Sequence, residues 1–255
     1  TSIADSDTRD LVQGLLERAR PAQAFMQTSA AGAAAPSPTA QLQAKTRIDH
    51  WEIEDLIGKG GMGEVYRASR ADGLYEQTVA LKLIHGTSAG RIERFKQERQ
   101  RLARLEHTNI ARIVDGGTAP DGRAYLAMEY VQGETIDTYV RSKNLELAEK
   151  LDLFRALCGA VSYAHSQLTL HRDIKPENVL VDAQGQVRLI DFGIASGLDD
   201  DEAQMIALTL RSAAPEQLEG RIESVQTDIF AVGVLLHRLC TDQFPERLAD
   251  GGMAP

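Results

Sequence analysis

The sequence predicts an α+β protein of two lobes around a cleft, the first β-rich with one helix and the second mostly helical. Three observations carry that prediction. From Trp51 to about Met128 the patterning is mainly that of strands. A single stretch of helical period, residues 88–106, interrupts it. After Gly133 the pattern turns helical, over residues 148–168 and 228–240. A chain of 255 residues is long enough for two such lobes.

Taken in order, residues 1–20 place Leu11, Leu15 and Leu16 among acidic and basic residues, which predicts one short amphipathic helix. Residues 27–41 shift to Ala, Ser, Pro, Gly and Thr, which bury too little apolar surface to offset ordering entropy and read as a linker. Residues 1–47 are therefore set apart from a globular domain over 48–255. In that domain the first lobe is expected over 48–128, a connector over 129–132 and the second lobe over 133–255. Residues 79–84 form a strand flanked by Gly73 and Gly86. Residues 179–181 and 187–190 form a hairpin turned at 182–186, with Val179 opposite Ile190 and Asn178 opposite Asp191.

Composition excludes several classes. Hydrophobic residues at 43% and charged residues at 25% rule out a wholly disordered or collagenous chain. The net charge of −9 leaves no domain-wide basic field for nucleic acid or an anionic membrane. The longest apolar run, residues 230–236, is too short to span a bilayer, and no leader pattern opens the chain. Cys158 and Cys240 lie in apolar helix-like runs and read as buried residues of a reducing compartment. The expectation is a cytoplasmic protein without a nucleic-acid partner or membrane segment.

The residues that carry chemistry fall into three groups. Gly58, Gly60 and Gly63, followed by Val65, match G-x-G-x-x-G-x-V, and glycine lets backbone approach phosphate oxygens closely. Because Val65, Tyr66, Arg67 and Ala68 continue as strand, a β-hairpin flap fits better than a dinucleotide site. Strand alternation puts Ala80, Lys82 and Ile84 on one face. Glu98 shares the helix stripe of Ile92, Phe95, Leu102 and Leu105, so it either pairs with Lys82 and aims that ammonium at phosphates, or sits at the stripe's wet edge. The third group is His171, Arg172, Asp173, Lys175, Pro176 and Asn178 with the later Asp191, Phe192 and Gly193. An amide and a carboxylate side by side at the hairpin mouth suit Mg²⁺ rather than a transition metal.

Together with Ala214, Pro215 and Glu216, these motifs resemble the eukaryotic-like (Hanks-type) serine/threonine protein kinases, most closely the bacterial branch, over residues 51–245. The resemblance implies the bilobal protein-kinase fold, with ATP and Mg²⁺ (or Mn²⁺) as cofactors and Ser/Thr-bearing proteins as partners. It implies that Ile57, Gly58, Lys59, Gly60, Gly61, Met62, Gly63, Glu64 and Val65 cover the nucleotide. Lys82, held by Glu98, would meet the α/β-phosphates. Met128 resembles the gatekeeper, Glu129, Tyr130 and Val131 the adenine-binding hinge, and Val65, Ala80 and Leu180 the walls around the base. Asp173 would accept the substrate proton, Lys175 would steady the phosphoryl group, and Asn178 and Asp191 would hold metal. Leu102, His171 and Phe192 resemble the regulatory stack anchored on Asp228.

Arg172 resembles the arginine that pairs with activation-segment phosphate, for which Ser196, Thr209 and Ser212 are the candidate sites. The acidic run 199–202 reads as a solvated loop. Family members carry more helices after the position of Pro255, so the second lobe is expected to be truncated, with Glu216 lacking its usual Arg. Phe230, Val234 and Leu235 would then be partly uncovered, favouring self-association. The alternative function is a nucleotide-binding scaffold of the same fold that signals by protein binding.

Overall fold

The computed structural model describes residues 42–60, 63–84, 95, 99–193 and 211–246. After Leu42 these fall in one compact unit, Gln43–Pro255. The expected helix in 1–20, the linker 27–41, the acidic run 199–202 and most of the helix 88–106 lie outside the described residues.

Six strands form an antiparallel sheet in the order β1-β2-β3-β4-β6-β5. They are β1 Arg47–Ile48, β2 Trp51–Gly60, β3 Gly63–Arg70, β4 Thr78–Ile84, β5 Ile113–Thr118 and β6 Ala124–Glu129. Alternation gives the sheet two buried faces. One carries Tyr66, Ala68, Val79, Leu81, Leu83 and Tyr125, all nearly free of solvent. On the other, Ile84, Leu126 and Met128 cluster with Phe95, and Ala80 packs against them, as the face assignment from sequence expected. The sheet curls until its ends meet. Trp51 Nε1 on β2 donates to Asp115 Oδ2 on β5 at 3.2 Å, and the Tyr125 hydroxyl donates to Asp49 Oδ2 at 3.2 Å.

The second lobe carries β7 Gly133–Thr135, α1 Ile136–Ser142, α2 Leu147–Ser166, β8 Val179–Asp182, β9 Val187–Leu189, α3 Pro215–Leu218 and α4 Val225–Thr241. Helix α2 opens on a capping box of Glu146 and Glu149 and buries Leu157, Ala160, Val161 and Ala164, one face at helical spacing. Helix α4 is capped at Ser224 and buries Asp228 among Ala231, Val234, Leu235 and Leu239. These stripes share a core with Leu102 and Phe192. Segment 109–111, which leads into β5, is tied to β9 of this lobe. Leu189 N–H donates to Asn109 O at 2.8 Å and Ala111 N–H to Leu189 O at 3.0 Å.

Three sequence expectations are corrected. The β8–β9 register is shifted by one residue, pairing Val179 with Leu189 rather than Ile190. The turn is the cause: Asp182 N–H donates to Gln186 O at 3.1 Å, and Gly185 takes φ +77°, so the loop holds Ala183, Gln184 and Gly185. Asn178 therefore lies opposite Ile190, whose N–H donates to Asn178 O at 2.9 Å, and Asp191 comes one position later. Val234 and Leu235 are buried in the α4 stripe, and the exposed apolar residues there are Ile222, Val225 and Ile229 instead. Cys240 is exposed, because it follows Leu239 around the helix onto the solvent face; Cys158 is half-buried.

Candidate active site

The Gly-rich hairpin is the turn between β2 and β3, with Gly58 opposite Val65, Lys59 opposite Glu64 and Gly60 opposite Gly63. Its glycines differ in what requires them. A Cβ on Gly63 would fall 1.9 Å from the Leu83 carbonyl oxygen, at φ +152°, so β4 itself forbids a side chain there. A Cβ on Gly60 would meet nothing within 4 Å, which leaves the space beside it open. Ile57, Lys59 and Gly60 are exposed along this hairpin. Gly61, Met62 and Glu98 lie outside the described residues.

Val65 faces Lys82 across the β3–β4 ladder, and Ala80 faces Met128 across β4–β6. Lys82 is buried, and its Nζ lies 2.5 Å from Asp191 Oδ1. Asp191 adopts φ +57°, an uncommon conformation for a residue with a Cβ and one that clusters at functional sites.

Asp228 organises the loop before β8. Its carboxylate, 1% exposed, accepts from His171 N–H at 2.8 Å and Arg172 N–H at 2.7 Å, and lies 2.8 Å from His165 Nε2. Arg172 at φ +69° lets two successive amides converge on one carboxylate, which satisfies a buried charge. His171 reads onward from this anchor. Its Nδ1 accepts from Asp173 N–H at 3.3 Å, so Nε2 carries the proton and donates to Ile190 O at 3.0 Å. Burial pushes its pKa below the usual histidine range, against the upward pull of Asp228, the Ile190 carbonyl, Asp173 and Asp191. The ring packs on Phe192 with centroids 4.5 Å apart, and Gly193 N–H donates to His171 O at 2.8 Å.

Asp173 is 8% exposed, and its Oδ2 accepts from Lys175 Nζ at 2.7 Å and Asn178 Nδ2 at 2.9 Å. Pro176 opens a 3-10 turn over Pro176–Asn178 that brings Asn178 back under Asp173; its Nδ2 also reaches Asp173 O at 2.7 Å. The structure thus brings Asp173, Lys175 and Asn178 into one cluster and Lys82 and Asp191 into another. His171 bridges the two, through Asp173 on one side and Ile190 on the other.

At the connector, Glu129 ends β6 and its carboxylate pairs with Arg188 of β9. Its backbone N–H donates to Arg112 O at 2.8 Å. Val131 and Leu180 are half-buried. Of the candidate phosphosites, Ser196 and Thr209 lie outside the described residues, and Ser212 is 6% exposed.

Other residues at the site were missed in the sequence or read differently. Glu64 points away from the Lys82 face, with its carboxylate buried beside Tyr66 and Arg123. Strand alternation from Val65 was the available signal. Glu216 has a partner in Thr227, whose hydroxyl donates to it at 2.6 Å and holds its pKa below the usual carboxylate range. Arg172 Nε lies 3.1 Å from Glu223 Oε2, and Gln217 Nε2 donates to Arg172 O and to Glu223 Oε1, each at 2.9 Å. Nothing in sequence spacing announces that tertiary pair.

Residues 51–251 match the family described as protein kinase domain. The chain is 35% identical over 202 residues to the serine/threonine-protein kinase PrkC of Bacillus subtilis, covering 76% of this chain and 31% of that protein. It is 33% identical over 216 residues to the serine/threonine-protein kinase pkn3 of Myxococcus xanthus, covering 79% and 39%. The chain thus spans about a third of the length of such curated relatives. The crystal structure of the Mycobacterium tuberculosis PknI kinase domain superposes with a TM-score of 0.65 at 28% identity, covering 84% of this chain and 81% of that one. Motif order, lobe architecture and these similarities agree: the chain belongs to the protein kinase domain family, on its bacterial serine/threonine branch.

Proposed function

We propose that this chain transfers the γ-phosphoryl group of ATP to serine and threonine hydroxyls of proteins, itself included. The observation that carries the reading is the pair of clusters joined through His171: Asp173 with Lys175 and Asn178, and Lys82 with Asp191. In the transfer, a hydroxyl oxygen bonds to the γ-phosphorus, the bond to the β–γ bridging oxygen breaks, and ADP leaves. Asp173 accepts the hydroxyl proton and orients the nucleophile, while Lys175 balances the charge that gathers beside it. Lys82 exchanges Asp191 for the α/β-phosphates, with Glu98 as the partner that the family resemblance assigns to it. Val65, Ala80 and Leu180 wall the base, Met128 closes the back of its pocket, and the Glu129 and Val131 backbones meet its edge.

The metal donors fit a hard cation. Both amide hydrogens of Asn178 are committed to Asp173, which leaves Oδ1 as the atom it could offer a cation, with the Asp191 carboxylate as the second donor. An all-oxygen set suits Mg²⁺, or Mn²⁺ in its place, and such a cation would offset phosphate charge. Among the described residues no helix is long and apolar enough to cross a membrane. Free thiols at Cys158 and Cys240 fit a reducing, ATP-supplied compartment, which supports the cytoplasmic expectation. We assign this activity to residues 48–255.

Incubating the chain with Mg²⁺ and ATP and recording its intact mass tests the proposal. The expected result is a gain of phosphate groups on Ser or Thr. An unchanged mass, with no transfer to a generic Ser/Thr-rich protein, would overturn it.

A further inference from the structure

Glu64 is out of character for its surroundings. The hairpin residues Lys59 and Gly60 are exposed, yet the Glu64 carboxylate is 2% exposed. A buried carboxylate is costly unless charge and hydrogen bonds offset it. Here the Tyr66 hydroxyl donates to Oε2 at 2.8 Å, Arg123 Nη1 lies 3.5 Å from Oε2, and Lys59 Nζ lies 3.6 Å from Oε1. Arg123 is itself 3% exposed and is held by Asp121, with Nη2 2.7 Å from Oδ2. Burial works upward on Asp121, but its hydrogen bonds from Arg123 win and hold its pKa below the usual carboxylate range. Two acids and two bases form one neutral network that spans β2, β3 and the turn before β6.

The position of this network matters more than its existence. Glu64 opposes Leu83, and Leu83 opposes Tyr125, so the reach to Arg123 passes across β4. Glu64 follows Gly63, which is pressed against the Leu83 carbonyl, and precedes Val65, which faces Lys82. Gly60 and Gly63 have no side chains with which to fix the hairpin themselves. We propose that Glu64, through its buried pair with Arg123, is the positioning residue that sets the Gly-rich hairpin at working height above the nucleotide phosphates. This rests on the assignment of that hairpin to ATP phosphates. Glu64 touches no substrate atom; it acts through the backbone of Gly63 and Val65.

Phosphate recognition then depends on Glu64, and base recognition does not. ATP and adenosine affinities, measured by calorimetry on the full chain, separate the two. Glu64→Gln is expected to weaken ATP about tenfold, the order of losing one buried ion pair, and to leave adenosine within about twofold. In turnover, KM for ATP should rise while kcat at saturation stays within about threefold. Arg123→Met should reproduce the ATP loss, and the double variant should lose less than the two singles combined. If Glu64→Gln does not fold, the double variant carries the test, because it leaves no buried charge unpaired. Equal losses for ATP and adenosine, or no loss of either, would overturn the role of Glu64. A wild-type chain that binds ATP no better than adenosine would overturn the assignment of the hairpin itself.

Discussion

Lys82 and Asp191, 109 residues apart in sequence, meet across the cleft with Nζ and Oδ1 separated by 2.5 Å. One sits mid-strand on β4, and the other follows β9 by two residues. Their contact joins the sheet lobe to the helical lobe, and under the proposed function phosphate and metal would take the place of this pairing.

That relationship predicts a metal-dependent response to nucleotide. ATP with Mg²⁺ at about 100 times its Kd should stabilise the wild-type chain by about 2.7 kcal/mol. In Asp191→Ala the share of the thermal shift that requires Mg²⁺ should vanish, while the metal-free share persists. Equal metal-dependent shifts in both proteins, read by thermal denaturation with and without chelator, would remove Asp191 from the metal set.

The glycines of the hairpin should separate into structural and ligand-facing positions. Gly63→Ala drives a Cβ into the Leu83 carbonyl, and overpacking of that kind costs about 1–3 kcal/mol. Gly60→Ala meets no protein atom within 4 Å and should leave Tm nearly unchanged while weakening ATP. Melting curves and ATP titrations of the two variants check this, and a reversed order would contradict it.

Stability should fall on the acid side of neutrality because of His171. Its folded pKa lies below the unfolded value, since burial disfavours the imidazolium despite Asp228, Asp173 and Asp191 nearby. Below about pH 6.5 the unfolded chain takes up a proton there that the folded chain refuses, so stability is full above that pH and is lost as pH drops. The slope is about 1.4 kcal/mol per pH unit until the folded site titrates. Urea denaturation of wild type and His171→Gln between pH 5.5 and 7.5 measures it. The variant should lose about one proton's worth of slope, and an identical slope would count against a neutral buried His171.

The lobes and the cleft were legible in the sequence because strand alternation and helix stripes report burial directly. Lys82 on the face of Ala80 and Ile84 follows from strand period alone, and the structure adds Phe95 packed with that face. The register of β8–β9 was not legible to one residue, since Gly185 at positive φ decides how many residues the turn takes. The Asn178–Asp191 pairing slipped with it, and the side chains settle elsewhere, Asn178 on Asp173 and Asp191 on Lys82. Thr227 beside Glu216 and Arg123 beside Glu64 were hidden for a different reason. They are tertiary contacts between polar residues, and no periodicity encodes which buried charge meets which partner.

The central claim concerns Asp173, whose carboxylate is held by Lys175 and Asn178 where a hydroxyl would arrive. The most direct measurement is the rate of γ-phosphate transfer from Mg²⁺-ATP by wild type and Asp173→Asn, with ATP affinity recorded for both. Removing the charge while keeping the shape should leave ATP affinity within about twofold and cut turnover by on the order of 10²-fold or more. A variant that transfers phosphate at the wild-type rate would contradict the account.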